Sequence, residues 1–218
     1  MEKDDSGSPC YGPHITQRII LAALLAAAAP TFAQAPATAA EQAPAPAAAE
    51  DLVTVALETE KGRIVLALDR GHAPVTTANF LAYVDKGWLD GQPFYRALKY
   101  GEGGIIQGGV RDGAKQLPPI KHESTASTGL KNVGGTIAMA NAGAGTARSD
   151  FFIMTHDVPA FDAKGPDIGF AAFGRVIDGM EVVHAILASP TSPTKGEGVM
   201  RGQMLEPVVK IVKASRVK

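Results

Sequence analysis

The chain has 218 residues, of which 45% are hydrophobic and 20% are charged, and its formal net charge is −1. This composition is typical of a globular protein and excludes a fully disordered chain. A nearly neutral chain has no electrostatic attraction to nucleic acid or to a membrane surface, so we expect neither as a partner. The single cysteine, Cys10, excludes disulfide and thiolate chemistry from the rest of the chain.

The first recognisable pattern is the apolar run IILAALLAAAA at residues 19–29, which follows an arginine. A short apolar run between a basic residue and small residues is typical of a secretory signal. We therefore predict a signal peptide over residues 1–33, cleaved after Ala33 or Ala35, and an exported, periplasmic protein. Residues 1–17 are long and acidic for such a signal, so we expect the true start to lie later. The alternative is an uncleaved anchor, although this run falls short of the ~20 residues that span a bilayer.

Residues 34–50 read QAPATAAEQAPAPAAAE, which is mostly alanine and proline and has almost nothing to bury. Repeated prolines prevent a continuous helix and favour extended conformers, so we predict a disordered tether here. The folded domain then covers residues 51–218. After cleavage of the signal we expect no stable insertion into the membrane.

The domain begins with two predicted strands, LVTVALET and KGRIVLALD, joined by a turn at Gly62 as in a β-hairpin. A helix is predicted to begin at Pro74 and to end before Gly87, because apolar residues recur there at helical spacing. These residues are Val75, Ala78, Leu81 and Val84.

More strand-like runs follow, and a second predicted helix interrupts them. The runs are PFYRAL, GIIQGG, GTIAMAN, DFFIMT, FAAFGRVI and PVVKIVKAS. The second helix lies in GMEVVHAILAS, where Asp178 and Glu181 have the spacing of a capping box. About eight strands with two isolated helices predict a β-barrel whose ends the helices close, since closure removes exposed sheet edges.

Residues 146–155, TARSDFFIMT, place Asp150 directly before a run of large apolar side chains. On a strand Asp150 and Phe152 would share one face, and Phe151 would point to the other. A strand that is apolar on both faces needs a second apolar environment, either a capping helix or a ligand groove. The local alternative is an ordinary strand end at which Asp150 and Arg148 form a solvated pair.

Motifs for several other chemistries are absent from the sequence, including GxxxxGK[ST], HExxH and GxSxG. The glycine-rich GEGGIIQGG has Ile106 where a dinucleotide fingerprint needs its third glycine. The five histidines are scattered singly, which favours surface or hydrogen-bonded roles over metal ligation. We therefore expect no metal and no cofactor.

Four segments, in order, carry a resemblance to a known family: FYRAL, IIQGGV, IAMANAGAGTARSDFFIMT and FAAFGRVIDGMEVV. With ANFLAYVDKGWLDGQPFYR before them, they make the chain similar to the cyclophilin family of peptidyl-prolyl cis-trans isomerases over roughly Leu52 to Lys213. The resemblance implies a mainly β fold, a closed eight-stranded antiparallel β-barrel capped by two α-helices. It also implies an enzyme that accelerates rotation about X–Pro bonds without metal or cofactor.

The resemblance also implies roles for individual residues. Arg96 matches the family's catalytic arginine, and Gln107 matches the glutamine that helps to orient it. The matches to substrate-binding positions include apolar and aromatic residues of the proline pocket and the stretch that holds the substrate backbone. The implied substrate-binding residues are Ile105, Ala140, Asn141, Ala142, Asp150, Phe152, Phe161 and Phe170.

Three departures from the family's pattern bear on the active site. Gly104 stands where the family has a pocket phenylalanine, and a familiar tryptophan near Phe161 is absent. Asp150 stands where the family has a glutamine. We expect Asp150 to lie at the rim of the groove, to attract Arg96 or Arg148, and to make the enzyme slower or more selective.

The function expected from these observations is isomerisation of X–Pro bonds in proline-containing peptides and unfolded exported proteins, by a monomer. Because of Gly104 and Asp150, a proline-peptide-binding chaperone module with weak or no catalysis is the first alternative. The second is a scaffold that its alanine-proline tether docks to an envelope complex.

Overall fold

The computed structural model describes residues 51–217. The predicted signal peptide (1–33) and tether (34–50) lie outside the described residues, so their boundaries stay predictions. Within residues 51–217 no helix combines the length and the hydropathy that crossing a bilayer requires. In the same part of the chain, no group of three or more His, Cys, Asp or Glu side chains is placed so that it could hold a metal ion.

Eight strands in this described part form one closed barrel, and every neighbouring pair is antiparallel. Their order around the barrel is β1-β2-β7-β5-β6-β4-β3-β8, and β8 pairs with β1 to close it. The strands are β1 (Leu52–Thr59), β2 (Gly62–Asp69), β3 (Pro93–Tyr100), β4 (Gly103–Gly108), β5 (Thr136–Met139), β6 (Phe151–Met154), β7 (Ala171–Asp178) and β8 (Met204–Arg216). The closed eight-stranded antiparallel barrel is thus confirmed.

The predicted first hairpin is formed by β1 and β2, with Thr59 opposite Gly62 at the turn. Gly62 has a φ of 131°, which favours glycine. A Cβ atom at this position would also lie 2.8 Å from Cγ2 of Val182. The turn glycine is therefore needed for its backbone conformation and for the close packing of a later element.

Three α-helices lie in residues 51–217: α1 (Pro74–Asp85), α2 (Thr125–Thr128) and α3 (Met180–Leu187). The two longer helices are those predicted, and α1 packs against β2, β7 and β8 while α3 packs against β2, β3 and β4. The single turn α2 was not predicted, because four residues are too few for a helical period to show.

The buried face of α1 differs from the one that its apolar residues indicate. Val75 and Ala78 are exposed, and the neighbouring Thr76 and Thr77 are buried instead. The Thr76 hydroxyl donates a hydrogen bond to the Glu123 carboxylate at 2.6 Å, and the Thr77 hydroxyl donates to a backbone carbonyl at 3.1 Å. Hydroxyl groups that are hydrogen-bonded can be buried at little cost in free energy. The buried face of α1 therefore includes Thr76 and Thr77 in place of Val75 and Ala78.

The predicted capping box at the start of α3 is wrong. The N-cap residue is Gly179 in the left-handed conformation, with a φ of 87°, and no side chain caps the helix. Asp178 is held in the β7 ladder opposite Val65. A Cβ atom at Gly179 would overlap the carbonyl oxygen of Arg63. The chain therefore turns from β7 into α3 in direct backbone contact with β2, and Asp178 stays in the strand.

The strand β6 is buried on both faces, as its sequence predicts. Phe151 and Ile153 belong to the barrel interior. Phe152 and Met154 belong to a second apolar cluster on the opposite face, which also contains Ile105 of β4. Fully burying a side chain of this size contributes about 1.5–3 kcal/mol, so the second cluster is a substantial part of the fold.

Candidate active site

The second apolar cluster forms the floor of a cavity of about 280 Å³. Its lining residues are Arg96, Leu98, Ile105, Gln107, Ala140, Asn141, Phe152, Phe161, Phe170 and Met200. Every predicted site residue lines this main cavity except Ala142 and Asp150. These two line an adjoining cavity of about 350 Å³, which shares Gln107, Ala140 and Asn141 with the main cavity. The structure thus brings all the predicted residues into one groove, while their roles toward a substrate stay predictions.

Three phenylalanines pack edge to face on the apolar side of the main cavity. The ring centroid of Phe152 lies 5.2 Å from that of Phe170 and 5.7 Å from that of Phe161, and Phe161 and Phe170 are 4.9 Å apart. The buried Asn132 amide, which the sequence does not single out, donates to the backbone carbonyls of Phe161 at 2.9 Å and Phe170 at 3.2 Å. The loop phenylalanines are therefore held in place against the strand phenylalanine.

The guanidinium of Arg96 lines the same cavity and is half-buried. Its Nε and Nη2 atoms both donate to Oε1 of Gln203, at 2.8 and 2.6 Å, and its Nη1 donates to Oε1 of Gln107 at 2.9 Å. A guanidinium has five N–H donors. Two of them, one on Nη1 and one on Nη2, find no acceptor among residues 51–217 and remain for a ligand.

Both acceptors of Arg96 are neutral amides rather than carboxylates. Burial lowers the pKa of Arg96, and the nearby Tyr95 partly offsets this effect. An arginine side chain nevertheless stays protonated in proteins. The guanidinium is therefore firmly positioned while its positive charge is not cancelled by a direct partner.

Gln203 is a site residue that the sequence does not reveal. It follows Arg96 by 107 positions and lies in no recognisable motif. The pairing of β3 with β8 places Arg96 opposite Met204, and the N–H of Ala97 donates to the Gln203 carbonyl at 2.9 Å. Only the closed barrel brings this glutamine beside the guanidinium. Its own side-chain amide is fixed by donating to the carbonyl of Val199 at 2.6 Å.

Gln107 connects Arg96 to a carboxylate through Tyr95. Nε2 of Gln107 donates to the Tyr95 hydroxyl oxygen at 2.7 Å, and that hydroxyl donates to Oδ1 of Asp150 at 2.9 Å. Burial, followed by the charge of Asp150 and the hydrogen bond to it, raises the pKa of Tyr95, so the phenol stays a neutral donor. This chain of hydrogen bonds fixes the Gln107 amide with its oxygen toward Arg96.

Asp150 pairs with Arg111, so the predicted pairing with Arg96 or Arg148 is wrong. Nη1 of Arg111 lies 3.3 Å from Oδ1 of Asp150, and the same guanidinium stacks 4.6 Å from the centroid of the Tyr95 ring. Nη1 of Arg148 instead donates to a backbone carbonyl at 3.0 Å. Tyr95 and Gln107 lie between the Asp150 carboxylate and Arg96 in the chain of hydrogen bonds. The carboxylate therefore does not contact the Arg96 guanidinium directly.

Asp150 does lie at the rim of the groove, as predicted, with 33% of its side chain exposed. Burial raises its pKa, and the hydrogen bond from Tyr95 and the charge of Arg111 partly offset this shift. A Cβ atom on Gly109 would lie 2.5 Å from Oδ1 of Asp150. The second glycine of IIQGG therefore leaves the space that the carboxylate occupies.

The chain segment around Asn141 presents free backbone groups to the groove. The N–H of Ala140 donates to the Asp150 carbonyl at 2.9 Å, and the N–H of Ala142 donates to the Thr146 hydroxyl at 2.8 Å. Between them, the backbone N–H and C=O of Asn141 have no partner within residues 51–217. An unpaired N–H and C=O of one residue can pair with an extended peptide as a strand edge does.

The sequence matches a known family over nearly the whole described part of the chain. The model of the cyclophilin type peptidyl-prolyl cis-trans isomerase/CLD family matches residues 54–215. Peptidyl-prolyl cis-trans isomerase A of Dickeya dadantii is 42% identical over 137 residues, which cover 61% of this chain and 70% of that protein. A peptidyl-prolyl cis-trans isomerase of Streptomyces antibioticus is 40% identical over 151 residues, which cover 66% of this chain and 88% of the relative.

The fold also matches solved structures at low sequence identity. A Cryptosporidium parvum cyclophilin type peptidyl-prolyl cis-trans isomerase superposes with a TM-score of 0.63 at 22% identity, covering 77% of this chain and 99% of that one. A second crystal structure of that protein, in the presence of the dipeptide Ala-Pro, has a TM-score of 0.63 at 23% identity and covers 76% of this chain. These matches agree with the barrel described above.

Proposed function

Because the chain belongs to the cyclophilin-type peptidyl-prolyl cis-trans isomerase family, we propose that it accelerates X–Pro rotation in unfolded exported proteins, with Arg96 acting on the prolyl amide. One observation carries this proposal. A guanidinium with two free N–H donors and no carboxylate partner lines the same small cavity as three packed phenylalanines. A cation beside an apolar pocket of this size suits a proline ring and the amide bond next to it.

The chemistry of X–Pro rotation needs no covalent step. Resonance gives the C–N bond partial double-bond character and a rotation barrier of ~18–20 kcal/mol. In the twisted transition state the nitrogen lone pair leaves resonance and becomes a better hydrogen-bond acceptor. A free N–H of Arg96 can donate to that nitrogen, and this interaction is stronger in the twisted state than in the planar one, where the lone pair is delocalised.

The arginine cannot supply the whole rate enhancement. A hydrogen bond from a charged group contributes about 1.5–3 kcal/mol, whereas an acceleration of about 10⁵-fold requires about 7 kcal/mol. The remainder must come from binding the proline ring against Phe152 while the flanking backbone pairs with Asn141. One side of the amide is then fixed and the other is free to rotate, which favours the twisted state.

A proline-peptide-binding module with little catalysis is the alternative, and the pairing of Asp150 with Arg111 removes one reason for it. The carboxylate does not occupy the Arg96 guanidinium, whose direct acceptors are both glutamines. A coupled assay on a short X–Pro peptide, with binding of the same peptide measured in parallel, separates the two functions. We expect exchange to accelerate in proportion to the concentration of the purified chain. Measurable affinity without any acceleration would leave only the binding module.

The cellular setting is part of the proposal and rests on the sequence before the barrel. The apolar run at residues 19–29 and the small residues after it support export to the periplasm. We expect the exported protein to begin at Gln34 or Pro36 and to act as a monomer. Intact mass of the protein from the envelope fraction measures the first expectation, and light scattering measures the second. A retained N-terminus or a stable dimer would contradict the respective expectation.

A further inference from the structure

A second apolar cavity, of about 290 Å³, adjoins the main cavity of the groove. Leu98, Ile105 and Phe161 line both cavities, so the two cavities adjoin along these side chains. The polar cavity that contains Asp150 shares no lining residue with this apolar one. The groove therefore has three compartments in a row: a polar cavity, the main cavity and an apolar cavity.

Two positions on the wall of the apolar cavity carry almost no side chain. Gly104 lines it, and a Cβ atom there would overlap the carbonyl oxygen of Leu98, so this backbone excludes every larger residue. Ala160 also lines it and is exposed at the surface. Neither residue therefore fills the cavity: the backbone excludes a larger residue at Gly104, and the side chain of Ala160 is a single methyl group.

Two aromatic rings form the outer wall of the apolar cavity. The β3–β4 pairing extends to Tyr100 opposite Gly103, and the Tyr100 ring lies 5.9 Å from the His156 ring at an angle of 31°. Tyr100 is 61% exposed, so this wall reaches beyond the surface of the barrel. No Lys, Arg, Asp or Glu side chain lines the cavity within residues 51–217.

We propose that this apolar cavity is a subsite for a large aromatic side chain of the substrate peptide, within two residues of the proline. The inference rests on the proposed function, since the main cavity must hold the proline. The two cavities adjoin along Leu98, Ile105 and Phe161, so a side chain close to the proline is near enough to enter the apolar cavity. Aromatic side chains pack favourably against Tyr100 and His156 in tilted and edge-to-face arrangements, whereas a charged side chain would lose its hydration there.

The first part of the test is a peptide panel used with the full chain. Phenylalanine is placed in turn at each of two positions before and two positions after the proline in an alanine background. Glutamate and lysine replace it in matched peptides. We expect kcat/KM and affinity to rise at least tenfold for phenylalanine over alanine at one of the four positions. The charged residues should gain nothing at that position.

The second part fills the cavity from its exposed rim. Ala160→Trp adds an indole where the native side chain is solvent-exposed, so the barrel core is not disturbed. The variant should lose the preference for phenylalanine, so that its kcat/KM is the same for the phenylalanine peptide and the all-alanine peptide. Ala185→Trp is the matched control, because Ala185 is exposed on α3 and does not line this cavity. It should behave as the wild type with every peptide.

The outcomes separate this inference from the proposed function. Equal rates and affinities for the phenylalanine and alanine peptides, with clear catalysis of both, would overturn the subsite and leave the isomerase. A tenfold binding preference without catalysis would support the subsite and contradict the isomerase. Concentration-dependent self-association that Ala160→Trp abolishes would show that a second copy of the chain fills the cavity, and would also overturn the subsite.

Discussion

The substitution Gln203→Glu tests whether the neutral surroundings of Arg96 matter for catalysis. Glutamate has nearly the same shape as glutamine, and its carboxylate can accept from Nε and Nη2 as Oε1 of Gln203 does at 2.8 and 2.6 Å. The substitution therefore keeps an acceptor at the guanidinium and adds one negative charge in contact with it, while the hydrogen bond that Gln203 donates to Val199 is lost. The guanidinium, paired with a carboxylate, would then present much less net positive charge to the prolyl amide.

The size of the effect follows from the geometry. Opposite charges about 4 Å apart interact by roughly 4 kcal/mol at an effective dielectric constant of about 20. Solvent screens part of this interaction, because Arg96 is only half-buried. We expect about 1.4–2.8 kcal/mol of transition-state stabilisation to be lost, which corresponds to a ten- to hundredfold lower kcat/KM. The free energy of unfolding should fall by no more than about 1–3 kcal/mol, because the hydrogen bond to Val199 is lost.

The assay is kcat/KM on one X–Pro peptide, with urea unfolding measured on the same samples. Gln203→Met is the matched control, because it removes the hydrogen bonds of Gln203, including the 2.6 Å bond to Val199, without adding charge. Gln203→Glu should have the lower kcat/KM of the two, although only this variant still accepts hydrogen bonds from Arg96 at position 203. Wild-type activity in Gln203→Glu, or equal losses in both variants, would refute the role assigned to the uncompensated charge.

Three further predictions concern Asp150 and Gly104. Asp150→Gln should hold or raise kcat/KM, because glutamine still accepts from the phenol and Arg96 is not the native partner; a tenfold loss would make the carboxylate part of the mechanism. Because the folded-state pKa of Asp150 is raised, the folded state holds more protons at this group, and the contribution of Asp150 to stability should fall as pH rises from the usual 3.8 through the raised value. Urea unfolding of the wild type and of Asp150→Asn, compared across pH, measures this contribution; a difference between the two that does not change with pH would contradict the assignment. Gly104→Ala should cost about 1–3 kcal/mol of unfolding free energy because its Cβ overlaps Leu98, whereas Gly113→Ala, with nothing within 4 Å, should cost little. Equal midpoints for the two alanine variants would show that the backbone shifts freely at Gly104.

Local patterns predict much of the barrel because they record which residues are buried. The apolar residues of TARSDFFIMT divide between the barrel interior and the groove, so the two-sided strand correctly predicts a second apolar environment. The turn at Gly62 is likewise visible in the sequence, since its backbone conformation favours glycine. The ordered motifs of the family then bring Arg96 and Phe152 to one cavity, as the resemblance implies.

Features that depend on distant partners are hidden from the sequence. Thr76 is buried in α1 because Glu123, 47 positions later, accepts a hydrogen bond from its hydroxyl group. The capping-box spacing before α3 fails because Asp178 is held by the ladder with β2. In both places a tertiary contact outweighs the local preference.

The same limit applies within the active site. Gln203 reaches Arg96 through the β3–β8 pairing, and no spacing in the sequence records that closure. Arg111 pairs with Asp150 from 39 positions away, although Arg148 is the nearer arginine in sequence. Charge alone predicts that Asp150 needs a cation, and only the packing of Tyr95 decides which one it contacts.

The most direct test of the mechanism is kcat/KM for Arg96→Ala and Arg96→Lys on an X–Pro peptide, with peptide affinity and unfolding midpoints measured alongside. Both variants should lose at least tenfold, about 1.4 kcal/mol, because lysine is a point charge without the planar fork that two glutamines hold. Midpoints should barely move, and Arg175→Ala, which removes an exposed arginine from β7, should keep full activity. Wild-type kcat/KM in both Arg96 variants would remove this guanidinium from the mechanism.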